Sequence, residues 1–381
     1  MYRAILRYIN EGNSRLLIGA VLLATSIKLL LAWFTVGSND VVAWLSFAKT
    51  AQDCGSCVYG SSGPYGDPFN HPPFVIHFLK LLPVSGDLFP FWLRLPSIAA
   101  DAGTVFLVHR LAPTLSQYAL MLLALNPVSI LISGFHGNTD PVMIAFLLAA
   151  IFFATKNQAL FAGLAFGMAI NVKVIPLLFA PCLLVYIMPN KSRAKFCVGA
   201  IVVVLLLSLP YALDTREVVK SVFGYRGLFT NWSFAHYADL AGLQPSHLLA
   251  KPSRWAIVAV SVALPFCTRR RGLSLFAACS AVTAGFYFLT PSLALQYLAW
   301  GVPFVIILGL WYAVPYYVLG GTLIGVQYHR WSGGRWIFAD SHSVSPVTAE
   351  TEFLSFALWV TCGAMLFSIV RQIAKVTSSA R

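Results

Sequence analysis

The sequence predicts an all-α polytopic membrane protein: a helical bundle of about 12 transmembrane helices, with interfacial helices in the first outer loop. Three observations carry this reading. The 381 residues are 58% hydrophobic and only 10% charged. Apolar stretches of span length recur from end to end, and a soluble chain of this size would leave far too much of that area exposed. Lysine and arginine gather in alternate connecting segments, while 11 of the 13 acidic residues fall in the others.

The first apolar stretch, 16–36, is long enough to span and lacks a small-residue cleavage pattern, so it reads as a retained anchor. Further spans are expected at 89–108, 115–133, 142–154, 160–170, 174–188, 196–212, 255–267, 273–289, 295–308, 310–326 and 353–370. Several are shorter than the roughly 20 residues of a straight crossing, so their ends run into neighbouring loops. The segment 295–326 is either one long helix or two joined near Gly309. The stretch 72–82 is apolar but too short to cross. It reads as a helix lying in the outer interface, after an amphipathic stretch at 41–51.

Orientation follows from the basic residues. Arg3, Arg7 and Arg15 precede the first span. Lys191, Arg193 and Lys195, then Arg269, Arg270 and Arg271, then Arg371, Lys375 and Arg381 mark later cytoplasmic turns. With both termini inside, the cytoplasmic segments hold 14 basic residues against Glu11 alone. The remaining charges balance, so the formal +13 is cytoplasmic. This is the positive-inside rule and attraction to anionic lipid; no nucleic-acid-binding pattern is present. Cys54 and Cys57 share the first outer loop, as a local disulfide or as two thiols. No zinc-ligand spacing occurs.

Carboxylates at the mouths of membrane helices are expensive, and each asks for a reason. Asp40, in Gly37-Ser38-Asn39-Asp40, is either a helix cap, a task Ser38 or Asn39 can share, or a general base whose pKa partial burial raises. Asp67 lies in an Asp-Pro turn before His71-Pro72-Pro73. Arg94 and Asp101 stand seven apart on one helix face, where a charge as deep as Asp101 requires a partner or a cavity. Arg94 is either structural or a holder of an anionic headgroup. His136, Asn138 and Asp140 crowd a tight outer turn, with Pro141 suited to the next helix and Asp140 to its cap. Lys28 and Lys173 either snorkel or face a cavity that takes a phosphate. The aromatic, basic and amide groups of 224–237, including Tyr225 and Arg226, and the turn at 290–303 with Gln296, Tyr297 and Trp300, suit either sugar binding or an interfacial aromatic belt.

Taken in order, these stretches resemble the GT-C superfamily of membrane glycosyltransferases, in particular the polyprenyl-phosphate-mannose-dependent enzymes. The likeness runs from Leu16 to about Pro303. An acidic residue soon after the first span is matched by Asp40, and an opening before Pro-Pro in the first loop by His71-Pro72-Pro73. The Arg94-to-Asp101 span, the His136-Gly137 turn, and Lys173 followed by apolar residues and Pro176 are similar to segments of that group. Gln296-Tyr297 with Trp300 and Pro303 resembles a segment of the glycosylphosphatidylinositol first-mannose transferases.

The resemblance implies one integral membrane domain over 1–381. A GT-C-like module covers 16–212 with outer loop 37–88, and a variable helical module covers 213–381 with outer loops 213–254 and 327–352. It further implies inverting transfer of a hexose, mannose foremost, from a polyprenyl-phosphate sugar to an acceptor hydroxyl on the non-cytoplasmic face. The host membrane would be the cell inner or plasma membrane, or the endoplasmic reticulum. Asp40 is the expected catalytic base. Lys173, Arg94, His136, Asn138, Asp140, Arg226, Tyr225, Gln296 and Tyr297 are expected around the donor, with His71, Pro72 and Pro73 ordering the loop. Expected partners are membrane lipid, the polyprenyl-phosphate sugar donor, and a glycan, lipid or protein acceptor. No cofactor is expected, although Asp40 and Asp140 together suit a divalent metal. A secondary transporter or lipid-linked saccharide flippase, and a non-catalytic subunit of a glycosylation complex, are the competing classes.

Overall fold

The computed structural model describes residues 2–64, 66, 68–224, 232, 234–243, 246–335 and 348–378; Asp67, Tyr225 and Arg226 lie outside them. Among the described residues the regular elements are all helices, and Ser62 and Pro68 form an isolated β-bridge.

Helix α1 (Tyr2–Phe34) is followed by a sharp turn at Gly37, whose φ of +99° glycine adopts without penalty. A Cβ there would collide with the Arg94 guanidinium. Ser38 then caps α2 (Asn39–Cys54) by accepting from the Asp40 amide at 3.3 Å. Cys54 and Cys57 are joined as a disulfide. Pro72 and Pro73 open α3 (Pro73–Lys80), as proline suits the first helical positions. At 8 residues, α3 rises only about 12 Å and is too short to cross a bilayer. Its fully buried Val75, Ile76 and Leu79 pack with Phe47, Ala48 and Ala51 of α2, forming an apolar layer of its own.

After α4 (Phe89–Leu111), the expected span at 115–133 is not one uninterrupted helix. It divides into α5 (Gln117–Ala124) and α6 (Pro127–Leu131) because Pro127 supplies no amide to the helix. Asn126 repairs the break: its Nδ2 donates to Leu123 O at 2.6 Å and its Oδ1 accepts from the Ser129 amide at 2.8 Å. A π-helical turn, Ile132–His136, ends the segment. Irregular turns of this kind re-aim side chains and recur at functional sites.

Helices α7 (Asp140–Thr155) and α8 (Ala159–Val172) follow, then a 3-10 turn, Ile175–Phe179, and α9 (Ala180–Tyr186). Next comes α10 (Asn190–Ser208), whose backbone presses onto α8. Gly163 and Gly167 face the Phe196 and Ala200 carbonyls so closely that neither site has room for a Cβ. This is small-xxx-small packing of membrane helices. The remaining helices are α11 (Thr215–Gly224), α12 (Phe234–Leu240), α13 (Ser246–Arg270), α14 (Leu275–Leu289), α15 (Leu298–Val305), α16 (Leu310–Trp331) and α17 (Ala349–Ser378). The expected ambiguity at 295–326 resolves into two helices broken at Gly309, with φ +114°. They fold back on each other: Tyr316 and Tyr317 hydroxyls donate to the Leu298 and Val302 carbonyls, each at 2.7 Å.

Among the described residues, five segments are long and apolar enough to cross a membrane: Arg15–Phe34, Phe89–Leu111, Gln117–His136, Asn190–Gly224 and Ala349–Ala374. Shorter apolar helices of 10–17 residues fill out the bundle.

The charges at 28 and 101 are paired with each other. Lys28 Nζ pairs with Asp101 Oδ2 at 3.0 Å and donates to Ser129 Oγ at 2.9 Å. Ser129 and Ser133 hydroxyls donate to the same carboxylate oxygen. The network ties α1 to α4 and α6. Gly134, with no room for a Cβ beside the Lys28 backbone, allows the close approach. Lys28→Met alone therefore strands a buried carboxylate and costs on the order of 3–5 kcal/mol. The double variant with Asp101→Leu recovers most of that loss. Thermal midpoints of detergent-purified protein check this, and an additive double variant would contradict the pairing.

Candidate active site

The site is built outward from Arg94. This side chain has no exposed surface. Its Nη1 donates to the carbonyls of Leu31 (3.4 Å), Ala32 (3.3 Å) and Thr35 (3.0 Å), and its Nη2 to that of Val36. The last turn of a helix carries unpaired carbonyls and the negative end of the dipole, so one guanidinium answers several acceptors at once. Arg94 thus holds the end of α1 against α4 and lies beneath the site, with these donors directed at backbone.

Two hydrogen bonds join the chain beyond α1 to the turn at 136–140. Ser38 Oγ donates to the His136 carbonyl at 2.8 Å, and Ser97 Oγ of α4 donates to the Asn138 carbonyl at 2.5 Å. Because Ser38 performs the capping, the Asp40 carboxylate is left to face this turn. His136 Nε2 lies 3.0 Å from Asp40 Oδ2, off the line of an aligned hydrogen bond, and Asn138 Nδ2 donates to the same oxygen at 3.2 Å. Both contacts fall on Oδ2, so Oδ1 is the oxygen available to a substrate. His136 is 3% exposed and Asp40 32%, which makes the carboxylate the reachable member of the pair.

Burial pushes the Asp40 carboxyl upward, but His136, Lys173 and Asn138 outweigh it and hold the group below its ordinary value. The upward shift expected from burial alone is reversed. Asp40 is therefore ionised at neutral pH, ready to accept a proton.

A second ion pair lies alongside. Lys173, just beyond α8, donates to Asp140 Oδ1 at 2.9 Å, and Trp300 Nε1 donates to that oxygen at 2.7 Å. Asp140 is wholly buried, with its other oxygen unpaired. It is the first residue of α7, preceded by Thr139, and its carboxylate serves Lys173 and Trp300 rather than the expected helix cap. The Lys173 ammonium lies over the rings of Tyr297 (4.9 Å) and Trp300 (5.3 Å), which stack with centroids 4.1 Å apart. One aromatic platform and one carboxylate fix the cation, while its remaining N–H donors stay available.

His71 closes the floor between the first loop and α8. Its Nδ1 lies 3.3 Å from the Val172 carbonyl and its ring 4.7 Å from that of Trp44, while the Tyr59 hydroxyl donates to its carbonyl at 3.1 Å. Burial and the Lys173 ammonium push the imidazole down to about 4. Gln296 sits half-buried in the 3-10 turn Leu295–Tyr297 beside the platform.

This layout can be set beside known proteins. Residues 87–233 match the ALG6, ALG8 glycosyltransferase family. The chain is 23% identical over 233 residues to GPI mannosyltransferase 1 of Saccharomyces cerevisiae, covering 54% of this chain and 56% of that protein. The corresponding enzyme of Kluyveromyces lactis is 24% identical over 138 residues, 32% of this chain and 34% of that one. That of Dictyostelium discoideum is 32% identical over 129 residues, 32% of this chain and 27% of the other. Over these segments the chain is similar to membrane glycosyltransferases, mannosyltransferases among them. The matches span about a quarter to just over half of the length of these relatives. With its apolar helices, the chain is an integral membrane protein.

Arg94, His136, Asn138, Asp140 and Lys173 fall within the family match, whereas Asp40, His71, Tyr297 and Trp300 come from outside it. The structure gathers Asp40 with His136 and Asn138, and Lys173 with Asp140 and Tyr297. Sequence reasoning missed Ser97 and Tyr328, whose hydroxyl lies 2.5 Å from His136 Nδ1. No local pattern marks either one.

The sign of the His71 shift gives a test. The folded chain holds this imidazole neutral down to about pH 4, whereas the unfolded chain takes up the proton near its ordinary 6.5. Stability is therefore lost as pH falls from 6.5 to 4, by at most about 1.4 kcal/mol per pH unit. Thermal melts in detergent should show His71→Gln with a flatter pH dependence than wild type across that window. Parallel profiles would contradict the buried neutral imidazole.

Proposed function

We propose that the protein is an inverting hexosyltransferase, foremost a mannosyltransferase. It moves the sugar of a polyprenyl-phosphate sugar onto an acceptor hydroxyl of a membrane glycan, lipid or protein. The supporting observation is the pairing of an accessible, ionised Asp40 with a fixed cation at Lys173 in one electrostatically coupled cluster. The likeness to GPI mannosyltransferase 1 of Saccharomyces cerevisiae favours mannose and a glycolipid acceptor.

The donor keeps its chain in lipid and presents its anomeric carbon to Asp40. The acceptor hydroxyl gives its proton to the Asp40 carboxylate, and its oxygen forms the new bond to the anomeric carbon. The bond from that carbon to the phosphate oxygen breaks, and the electron pair leaves on the polyprenyl phosphate. The Lys173 ammonium offsets the charge that develops there, in a setting fixed before the reaction begins. A single displacement inverts the anomeric centre. His136 and Asn138 hold the carboxylate, and Tyr297 offers the sugar an aromatic face. Gln296, Tyr225 and Arg226 complete the donor contacts in this proposal, while Arg94 positions α1. No metal or other cofactor takes part.

The proposed topology has about twelve crossings, both termini in the cytoplasm and the site on the opposite face of the plasma membrane or endoplasmic reticulum. A transporter would use charges near mid-membrane. Lys28 and Asp101, the deep charges of this chain, neutralise each other.

The test is incubation of purified protein with labelled polyprenyl-phosphate mannose or glucose and host lipid extract. Wild type should yield a labelled product from the mannose donor. Asp40→Asn, still monodisperse in detergent, should lose activity by roughly 10²-fold or more. Transfer by Asp40→Asn at the wild-type rate removes Asp40 from the mechanism, and absence of wild-type product with either donor overturns the reading.

A further inference from the structure

Tyr328 lies near the end of α16, 192 residues from His136 in sequence and outside the segment that matches the family. It is 2% exposed. Its ring stacks on that of His136, with centroids 5.7 Å apart and planes 11° from parallel, and packs at 5.2 Å against Phe135. The approach is built into the helix crossing. Gly320 and Gly321 of α16 lie against Val128 and Pro127 of α6, where Gly321 leaves no room for a Cβ. Seven residues after Gly321, and so on the same helix face, comes Tyr328.

We propose that Tyr328 is a positioning residue that sets the tautomer of His136 and so keeps an N–H, rather than a lone pair, beside the Asp40 carboxylate. A tyrosine hydroxyl beside an imidazole nitrogen donates to it when that nitrogen carries the lone pair. With Nδ1 accepting from Tyr328 at 2.5 Å, the imidazole proton resides on Nε2, 3.0 Å from Asp40 Oδ2. The opposite tautomer would leave the bare Nε2 lone pair 3.0 Å from a carboxylate oxygen. Tyr328 acts through the ring of His136 and is not placed against the reacting atoms. A helix outside the segment that matches the family therefore supplies a group that orients the partner of the base.

In Tyr328→Phe the stacking survives and the donor is lost. Without that donor the imidazole moves its proton to Nδ1, leaving a lone pair beside Asp40. The inference rests on the proposed transferase reading for its kinetic consequence, but not for its structural one. Nitrogen-15 spectra of histidine-labelled full-length protein in detergent, with His136→Gln as the assignment control, read the tautomer directly. Wild type should show Nε2 protonated and Nδ1 bare, and Tyr328→Phe should show Nδ1 protonated. A wild-type protein with protonated Nδ1 and bare Nε2 overturns the inference, whatever the variant does and whatever the enzyme's activity. In the transfer assay, Tyr328→Phe should lower kcat on the order of tenfold or more, the scale of lost orienting partners of functional imidazoles. The donor KM should stay unchanged and the acid limb of the kcat profile should move to higher pH. A purely packing role predicts an unmoved acid limb, and that result also overturns the inference.

Discussion

A guanidinium with no exposed surface closes the end of the first membrane helix, and the geometry of the site follows from it. Arg94 meets the carbonyls of Leu31, Ala32, Thr35 and Val36, in and just beyond the last turn of α1, where a helix lacks amides to pair all of its carbonyls. With α1 held there, the turn needs glycine at 37, where φ is positive and a side chain would strike the guanidinium. That turn delivers Ser38 to the start of α2 and to the His136 carbonyl together. Asp40 then faces the 136–140 turn by consequence, within reach of His136 and Asn138.

The electrostatics divide the buried charges into two kinds. Lys28 and Asp101 are closed on each other and on two serines. Such an enclosed pair fixes helix register more than it adds stability, since desolvation consumes much of the attraction. Asp140 is as deeply buried, but its partner Lys173 remains partly accessible and is held over two aromatic rings. Asp40 is the most exposed of these carboxylates. The cluster thus presents one anion and one cation outward, each braced from behind by a buried partner.

Much of this was legible in the sequence, and for local reasons. Apolar runs gave the helical class and the apolar helices, Pro72 and Pro73 the start of α3, and the polar turns at 37–40 and 136–140 the neighbourhood of the candidate site. The Asn126-Pro127 break was missed, although asparagine before proline marks a turn, because the apolar run continues through it. The pairings were not legible. Lys28 finds Asp101 across 73 residues, Trp300 finds Asp140 across 160, and Tyr328 finds His136 across 192. Such contacts leave no trace in spacing. For the same reason the pKa of Asp40 was expected to rise: burial is visible in an apolar context, whereas the imidazole, ammonium and amide that reverse it arrive from distant segments.

The central claim is that Asp40 and Lys173 address the same donor headgroup. Cryo-electron microscopy of the full chain in lipid nanodiscs, with a non-transferable phosphonate analogue of polyprenyl-phosphate mannose, tests it most directly. The account predicts the phosphonate against the Lys173 ammonium and the anomeric carbon facing Asp40. A headgroup bound on the opposite face of the bilayer, or walled off from Asp40 with Lys173 still closed on Asp140, would contradict it.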